Sequence, residues 1–215
     1  MKRKNISSAV PLIFTIIGYL LGGSFAIYRF IMLESYLEKI LLFILVFAYV
    51  MWSIWEVKIT LTELHLESAE NDKKTLELAG LIKNFMLVGA LAGTSKILVT
   101  AWAAGICIIG LGLLFRVMAI KAIGPAYSHR IRELVDKPVT TGPYKIIRHP
   151  SYMGTLLIHT GLVVILFNPF SLAGLILWYA NAIYRILVEE GQLIKNQYYL
   201  KYAQETKNRL IPFLW

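Results

Sequence analysis

Residues 140–168 read TTGPYKIIRHPSYMGTLLIHTGLVVILFN. The stretch begins as a basic loop punctuated by proline and ends as an apolar run that hydrocarbon would accept. Tyr144, Arg148, His149 and Tyr152, side chains suited to holding a polar ligand, therefore stand where the chain enters a membrane. The composition of the rest agrees. Of 215 residues, 57% are hydrophobic and 16% charged, with a mean hydropathy of +0.62, too apolar for a soluble domain of this length.

A spanning helix needs roughly 20 mostly apolar residues, because the bilayer core is about 30 Å thick and a helix rises about 1.5 Å per residue. Working outward from 140–168, hydropathy gives a fifth span at 152–167 and, after the Asn168-Pro169 turn, a sixth at 172–188. Upstream lie spans at 9–33, 36–55, 78–92 (a weaker one, carrying Lys83 and Asn84) and 97–120, with GTSK at 93–96 as a tight connection. The MKRK start resembles the charged end of a signal peptide, but the apolar run after it is longer than the roughly 7–15 residues of a signal core. It is read as an uncleaved first span. The polar stretch 58–77 is a loop or surface segment, and the chain closes with a short amphipathic helix ending before Pro212.

The lone Cys107 excludes an intramolecular disulfide and any Cys-x-x-Cys metal or redox site. The net charge of +9 does not point to nucleic acid, since the basic residues cluster beside the apolar runs, as anionic lipid and membrane topology require. With the N-terminus inside, one side holds Lys2, Arg3 and Lys4, then Lys58, Lys73 and Lys74, the basic 121–150 loop, and the Lys- and Arg-bearing tail; Arg29, Lys39 and Lys96 fall on the other. Six spans with both ends cytoplasmic fit this bias. The RHPSY segment (148–152) and the tail then share one face.

Three segments could carry chemistry there. In RHPSY, the plain reading is a juxtamembrane basic pair, a helix-start proline and an interfacial tyrosine. Pro143 and Pro150, however, restrict the backbone between them, and a shaped polar loop beside a helix N-terminus suits a carboxylate or phosphate. In YRILVEEG (184–191), Arg185 and Glu189 read equally as a surface ion pair four residues apart. Because the hairpin around Pro169 is short, Glu189 and Glu190 face RHPSY. In YYLKYAQETKNRLIP (198–212), Tyr199 and Tyr202 share a helical face that could simply lie on the membrane.

Taken in order, these segments resemble the isoprenylcysteine carboxyl methyltransferase family and its phospholipid methyltransferase relatives. The likeness rests on Gly142, Tyr144, Arg148, His149, Pro150 and Tyr152, then Arg185 with Glu189 and Glu190, then Tyr199, Tyr202 and Arg209 to Pro212. It reaches loosely back to Gly124 and covers roughly the last 110 residues. Two departures stand out: KNQY (195–198) replaces a usual Phe-Gly, and one residue is added before Arg209, so the lid helix could close at another angle.

The resemblance implies an all-α integral membrane protein of about six transmembrane helices, with a cytoplasmic cofactor-covering loop and a C-terminal amphipathic helix. It divides the chain into N-terminal helices and loop (1–77) and a methyltransferase core (78–215). It implies S-adenosylmethionine as cofactor, with no metal. The loop from Val139 through Thr140 and Gly142 to Tyr144 would line the adenosine pocket. Arg148, His149 and Tyr152 would hold the methionine carboxylate and its neighbours, with Glu189, Tyr199 and Tyr202 completing the cofactor site. Glu190 would attract the ammonium or orient the reacting groups, and Arg185 would present the acceptor carboxylate through its two-pronged guanidinium. At about 100° per residue, Glu190 lies roughly 140° round the helix from Arg185, so sharing one face would require Gly191 to loosen the helix.

The implied acceptor is a prenylated cysteine or similar lipophilic carboxylate. N-methylation of an ethanolamine phospholipid, a reductase of the sterol-reductase type, and a non-enzymatic scaffold are the alternatives. Membrane lipids are the expected surroundings, nucleic acid is not an expected partner, and the short loops favour a prokaryotic plasma membrane with the site facing the cytoplasm.

Overall fold

The computed structural model describes residues 10–62, 75–93, 98–134, 136–212 and 214–215. The MKRK start, most of the 58–77 loop with Lys73 and Lys74, and all of GTSK but Gly93 lie outside the described residues. Among those described there are helices and turns but no strand. Six long helices run in order: α1 (Val10–Met32), α2 (Tyr36–Thr62), α3 (Thr75–Ala92), α4 (Val99–Ile123), α5 (Pro150–Ile165) and α6 (Pro169–Leu193). A short α7 (Gln197–Glu205) follows, and two 3-10 turns, Gly124–Ala126 and Gly142–Lys145, shape the loop between α4 and α5.

Four helices, α2, α3, α4 (with the turn after it) and α6, are long and apolar enough to cross a membrane, while α5 and the 16–32 part of α1 are shorter apolar helices. The outer surface is itself apolar: Leu20, Ile27, Phe43 and Ile176 are each more than 60% exposed. A surface this apolar suits lipid contact and not water.

Inside, one cluster joins Leu42, Leu45 and Tyr49 of α2 to Leu87, Ala90 and Leu91 of α3 and to Leu162, Ile165 and Leu166 at the end of α5. The core therefore draws on both sides of residue 77. Helices α4 and α5 touch through glycines. A Cβ placed on Gly154 would lie 2.7 Å from the Arg116 backbone nitrogen and 2.8 Å from the Gly112 carbonyl, so only glycine permits this approach. Its consequence is local and chemical: Arg116 is carried against Ser151 at the first turn of α5.

Helix α6 is longer than hydropathy implies. Instead of stopping at 188 it continues through Glu189, Glu190 and Gly191 to Leu193. Polar residues end a span only when they need water, and these find partners inside. At its other end, Asn168 caps α6 by accepting from the Phe170 and Ser171 backbone N–H groups, and Ser171 returns a bond to the Asn168 backbone. The hairpin to α5 is as short as the sequence implied.

Candidate functional site

The loop before α5 is set by its prolines and one glycine. Gly142 adopts φ +59°, a conformation that favours glycine, and the following 3-10 turn buries Tyr144. Pro150 occupies the first turn of α5, where its missing N–H costs nothing. Between them, the Arg148 and His149 backbone N–H groups donate to the Asn208 and Arg209 carbonyls, both at 2.9 Å. The tail is thus stitched onto the loop by main chain, whatever the side chains do.

Side chains complete the clasp around Glu190, which is 7% exposed. Its Oε1 accepts from Arg148 Nε at 2.8 Å and meets His149 Nε2 at 3.1 Å and Tyr199 OH at 3.5 Å. Its Oε2 accepts from Arg209 Nε at 2.6 Å. Arg148 also donates to the Thr206 and Lys207 carbonyls at 2.8 and 2.9 Å. Burial works against the Arg148 cation, yet the adjoining carboxylate more than offsets this and holds its pKa above the ordinary guanidinium value. Tyr202 OH donates to the Tyr144 carbonyl at 2.7 Å, fixing α7 over the 142–145 turn.

Beneath the clasp lies a cavity of about 530 Å³. Val139, Tyr144, Arg148, His149, Tyr199 and Tyr202 line it, as do Tyr152, Arg185 and Glu189. Thr140, Gly142 and Glu190 are not part of the wall. Glu190 instead stands behind it, its oxygens already taken up by Arg148, His149 and Arg209, so Arg148 and His149 turn toward a protein carboxylate. Tyr152 OH donates to Glu189 Oε2 at 2.8 Å. Arg185 donates to Thr75 Oγ1 at 2.6 Å and to the His129 carbonyl at 2.8 Å, and it is 5% exposed. Arg185 and Glu190 are both buried on a helix continuous past Gly191, facing different partners as the 140° separation requires. The reading of Arg185 and Glu189 as a surface ion pair is thereby corrected, since Arg185 is buried and Glu189 accepts from Tyr152. Burial raises the pKa of Tyr144, Tyr199 and Tyr202, leaving them neutral donors in the wall.

Several wall residues carry no motif in the sequence. Glu56, near the end of α2, takes a two-point bond from Arg116 of α4, with Nε to Oε1 at 2.8 Å and Nη2 to Oε2 at 2.7 Å. Arg116 also bonds Ser151 Oγ, which Tyr127 OH meets at 3.0 Å. His129 closes the group with Nε2 at 3.3 Å from Glu56 Oε2 and Nδ1 at 3.4 Å from Arg116 Nη2. That geometry suits a neutral ring donating through Nε2 and accepting at Nδ1. Burial lowers the His129 pKa to about 4, the Glu56 carboxylate only partly opposing it. Burial likewise pushes Tyr127 up to about 12. Deeper still, the wall includes Trp52, His159, Trp178 and Asn181. Trp178 lies eleven residues along α6 from Glu189, about 16 Å of helix rise, so the cavity reaches well between the helices. Arg116 and Lys83 within apolar helices were the available signal, because an ionisable group at such a position costs about 2.5–3.5 kcal/mol on insertion scales and usually marks a site.

Residues 103–195 match the model of the Isoprenylcysteine carboxyl methyltransferase (ICMT) family. Among curated relatives, the chain is 38% identical over 117 residues to "Protein-S-isoprenylcysteine O-methyltransferase B" of Arabidopsis thaliana, covering 51% of this chain and 58% of the relative. The "Protein-S-isoprenylcysteine O-methyltransferase" of Saccharomyces cerevisiae (strain ATCC 204508 / S288c) is 34% identical over 118 residues, covering 51% and 48%. A third, "Probable protein-S-isoprenylcysteine O-methyltransferase" of Oryza sativa subsp. indica, is 34% identical over 117 residues, covering 51% and 60%. The chain spans about half to three-fifths of the length of these relatives. The resemblance read from the motifs is borne out over the matched segment.

Proposed function

We propose that the chain is a membrane-embedded methyltransferase that uses S-adenosylmethionine to esterify the carboxylate of a prenylated cysteine or a similar lipophilic acceptor. The observation that carries this reading is one continuous cavity whose walls change character with depth. Near the clasp it offers neutral tyrosines, Glu189 and Val139; between the helices it is lined by Trp52, His159 and Trp178. A water-soluble cofactor and a lipophilic acceptor could meet only in such a place. The relatives are named as O-methyltransferases of isoprenylcysteine, so N-methylation of a phospholipid is not favoured.

The residues suit the cofactor. The aromatic faces of Tyr199 and Tyr202, 5.7 Å apart and edge to face, suit a sulfonium or a purine, and Glu189 keeps one carboxylate oxygen beyond the bond from Tyr152. A volume of about 530 Å³ lies within the roughly 300–1,000 Å³ of small-molecule sites. When bound, the cofactor supplies an electrophilic methyl group, so the chain's task is to align and shield. Arg185, held by Thr75 and the His129 carbonyl, orients the acceptor carboxylate in line with it. Val139, Thr140, Gly142 and Tyr144 cover the adenosine side, and Arg148 and His149 act from behind through the clasp. Glu190 is a positioning residue in this scheme.

In the membrane, α1 and α5 complete six spans with α2, α3, α4 and α6, with both chain ends and the clasp on the cytoplasmic side. The relatives named above are all eukaryotic, so they lend a prokaryotic plasma membrane no support. In this reading the methyltransferase core is 78–215, with Trp52 and Glu56 of α2 completing its cavity from the N-terminal side. The test is transfer of a radioactive methyl group from the cofactor to an S-prenylated N-acetylcysteine by the purified chain. A base-labile labelled ester is expected. A labelled product that resists base, or none from a folded sample that binds the cofactor, would overturn the acceptor assignment.

A further inference from the structure

Lys83 sits on α3, eight residues in from Thr75 and so about 12 Å along the helix. It lines the cavity, and among the described residues it makes no hydrogen bond or ion pair, feeling Glu56 and Arg116 only as longer-range charges. Glu56 is already engaged, with both oxygens on Arg116 and one near His129. Lys83 therefore has no carboxylate of its own among the described residues. Lys83 and Arg185 both act electrostatically on His129, so two cations from different helices converge on one part of the wall. An unanswered charge there is costly without a ligand of opposite sign.

A second observation points the same way. Asn181, 5% exposed, lines the same cavity and its Oδ1 has no hydrogen-bond partner; the indole N–H groups of Trp52 and Trp178 are likewise buried and unpartnered on lining residues. Native proteins satisfy nearly all such groups. An apolar tail alone would satisfy none of them, whereas an amide offers Asn181 a donor and the indoles an acceptor.

We propose that Lys83, together with Arg185, receives the carboxylate of the acceptor, with Asn181 and the Trp52 and Trp178 indoles taking the polar atoms beside it. This rests on the methyltransferase reading and deepens it. In the transfer, a carboxylate oxygen forms a bond to the methyl carbon as that carbon's bond to the sulfonium sulfur breaks. One anion and one cation become a neutral ester and a neutral thioether. The ester no longer answers Lys83, so the same residue that favours the substrate releases the product.

The experiment compares binding of N-acetyl-S-farnesylcysteine, as free acid and as methyl ester, to the full chain saturated with S-adenosylhomocysteine. Wild type is expected to favour the acid by on the order of tenfold or more. Lys83→Met is expected to lower that ratio several-fold, with Arg185 keeping the remainder, Lys83→Arg to keep most of it, and both to bind S-adenosylhomocysteine normally. Because an unpaired cation is removed, Lys83→Met without ligand should also melt at a higher temperature than wild type. An unchanged acid preference in Lys83→Met, no acid preference in wild type, or a Lys83→Met protein that melts lower or fails to fold would each overturn the proposal. Failure of the methyltransferase reading shows separately, as absence of S-adenosylhomocysteine binding by wild type, and the acid-to-ester ratio can then be read without it.

Discussion

Glu190→Gln keeps the shape of the side chain and removes its charge, so it tests whether the clasp over the cavity is electrostatic. The Arg148 and Glu190 side chains are 6% and 9% exposed, and breaking a buried pair from one side costs about 3–5 kcal/mol. Arg209 is 34% exposed, and solvent screening reduces its share to about 0–1 kcal/mol. A glutamine amide can also accept from only one of the two arginines through its single oxygen, leaving its NH2 against the other. The local closing equilibrium of α7 and the 206–210 tail should therefore weaken by roughly 10²- to 5 × 10³-fold, while the helices below stay folded. Hydrogen exchange reads this directly at the Arg148 and His149 amides, whose acceptors are the Asn208 and Arg209 carbonyls. Exchange there should accelerate by that factor, with S-adenosylhomocysteine affinity and turnover falling together. Unchanged exchange at both amides in a folded variant would refute the clasp.

The remaining expectations concern single residues. Arg185→Lys should keep S-adenosylhomocysteine affinity and lose at least about 100-fold in turnover, because an ammonium cannot reproduce a planar two-point contact; near-normal rates would remove Arg185 from the acceptor site. His129 has a folded pKa of about 4 against about 6.5 unfolded, so its contribution to stability is whole above pH 6.5 and is lost as pH falls toward 4. By pH 4.5 that loss is about 2–3 kcal/mol, and a His129→Gln protein, which cannot titrate there, should show a correspondingly smaller drop in unfolding free energy between pH 7 and 4.5. Gly154→Val should destabilise the protein by about 1–3 kcal/mol or more, since its side chain would meet the Arg116 backbone; a thermal melt within error of wild type would contradict the close approach of α4 and α5.

What the sequence made legible is what neighbours along the chain decide. Hydropathy located all six long helices, and the proline spacing announced the loop at 142–150. The three-residue step from Tyr199 to Tyr202 put both on the face of α7 that is buried. What escaped depends on distant residues meeting. Glu56 and Arg116 are sixty residues apart and Arg185 and Thr75 are 110 apart, so each reads in sequence as an isolated charge or hydroxyl near a helix end. The end of α6 was misplaced for the same reason. Glu189 and Glu190 look like groups seeking water until Tyr152, Arg148 and His149 are seen to meet them. Lys83 made its span look weaker, when its surroundings give it a place in the wall of the cavity.

The central claim is that the space beneath the clasp holds S-adenosylmethionine. Equilibrium binding of S-adenosylhomocysteine to the purified chain, with NADPH titrated in parallel, tests it most directly. The account requires saturable one-to-one binding of S-adenosylhomocysteine, weakened by His149→Ala in a folded protein, and no binding of NADPH. Saturable NADPH binding with none of S-adenosylhomocysteine would contradict it.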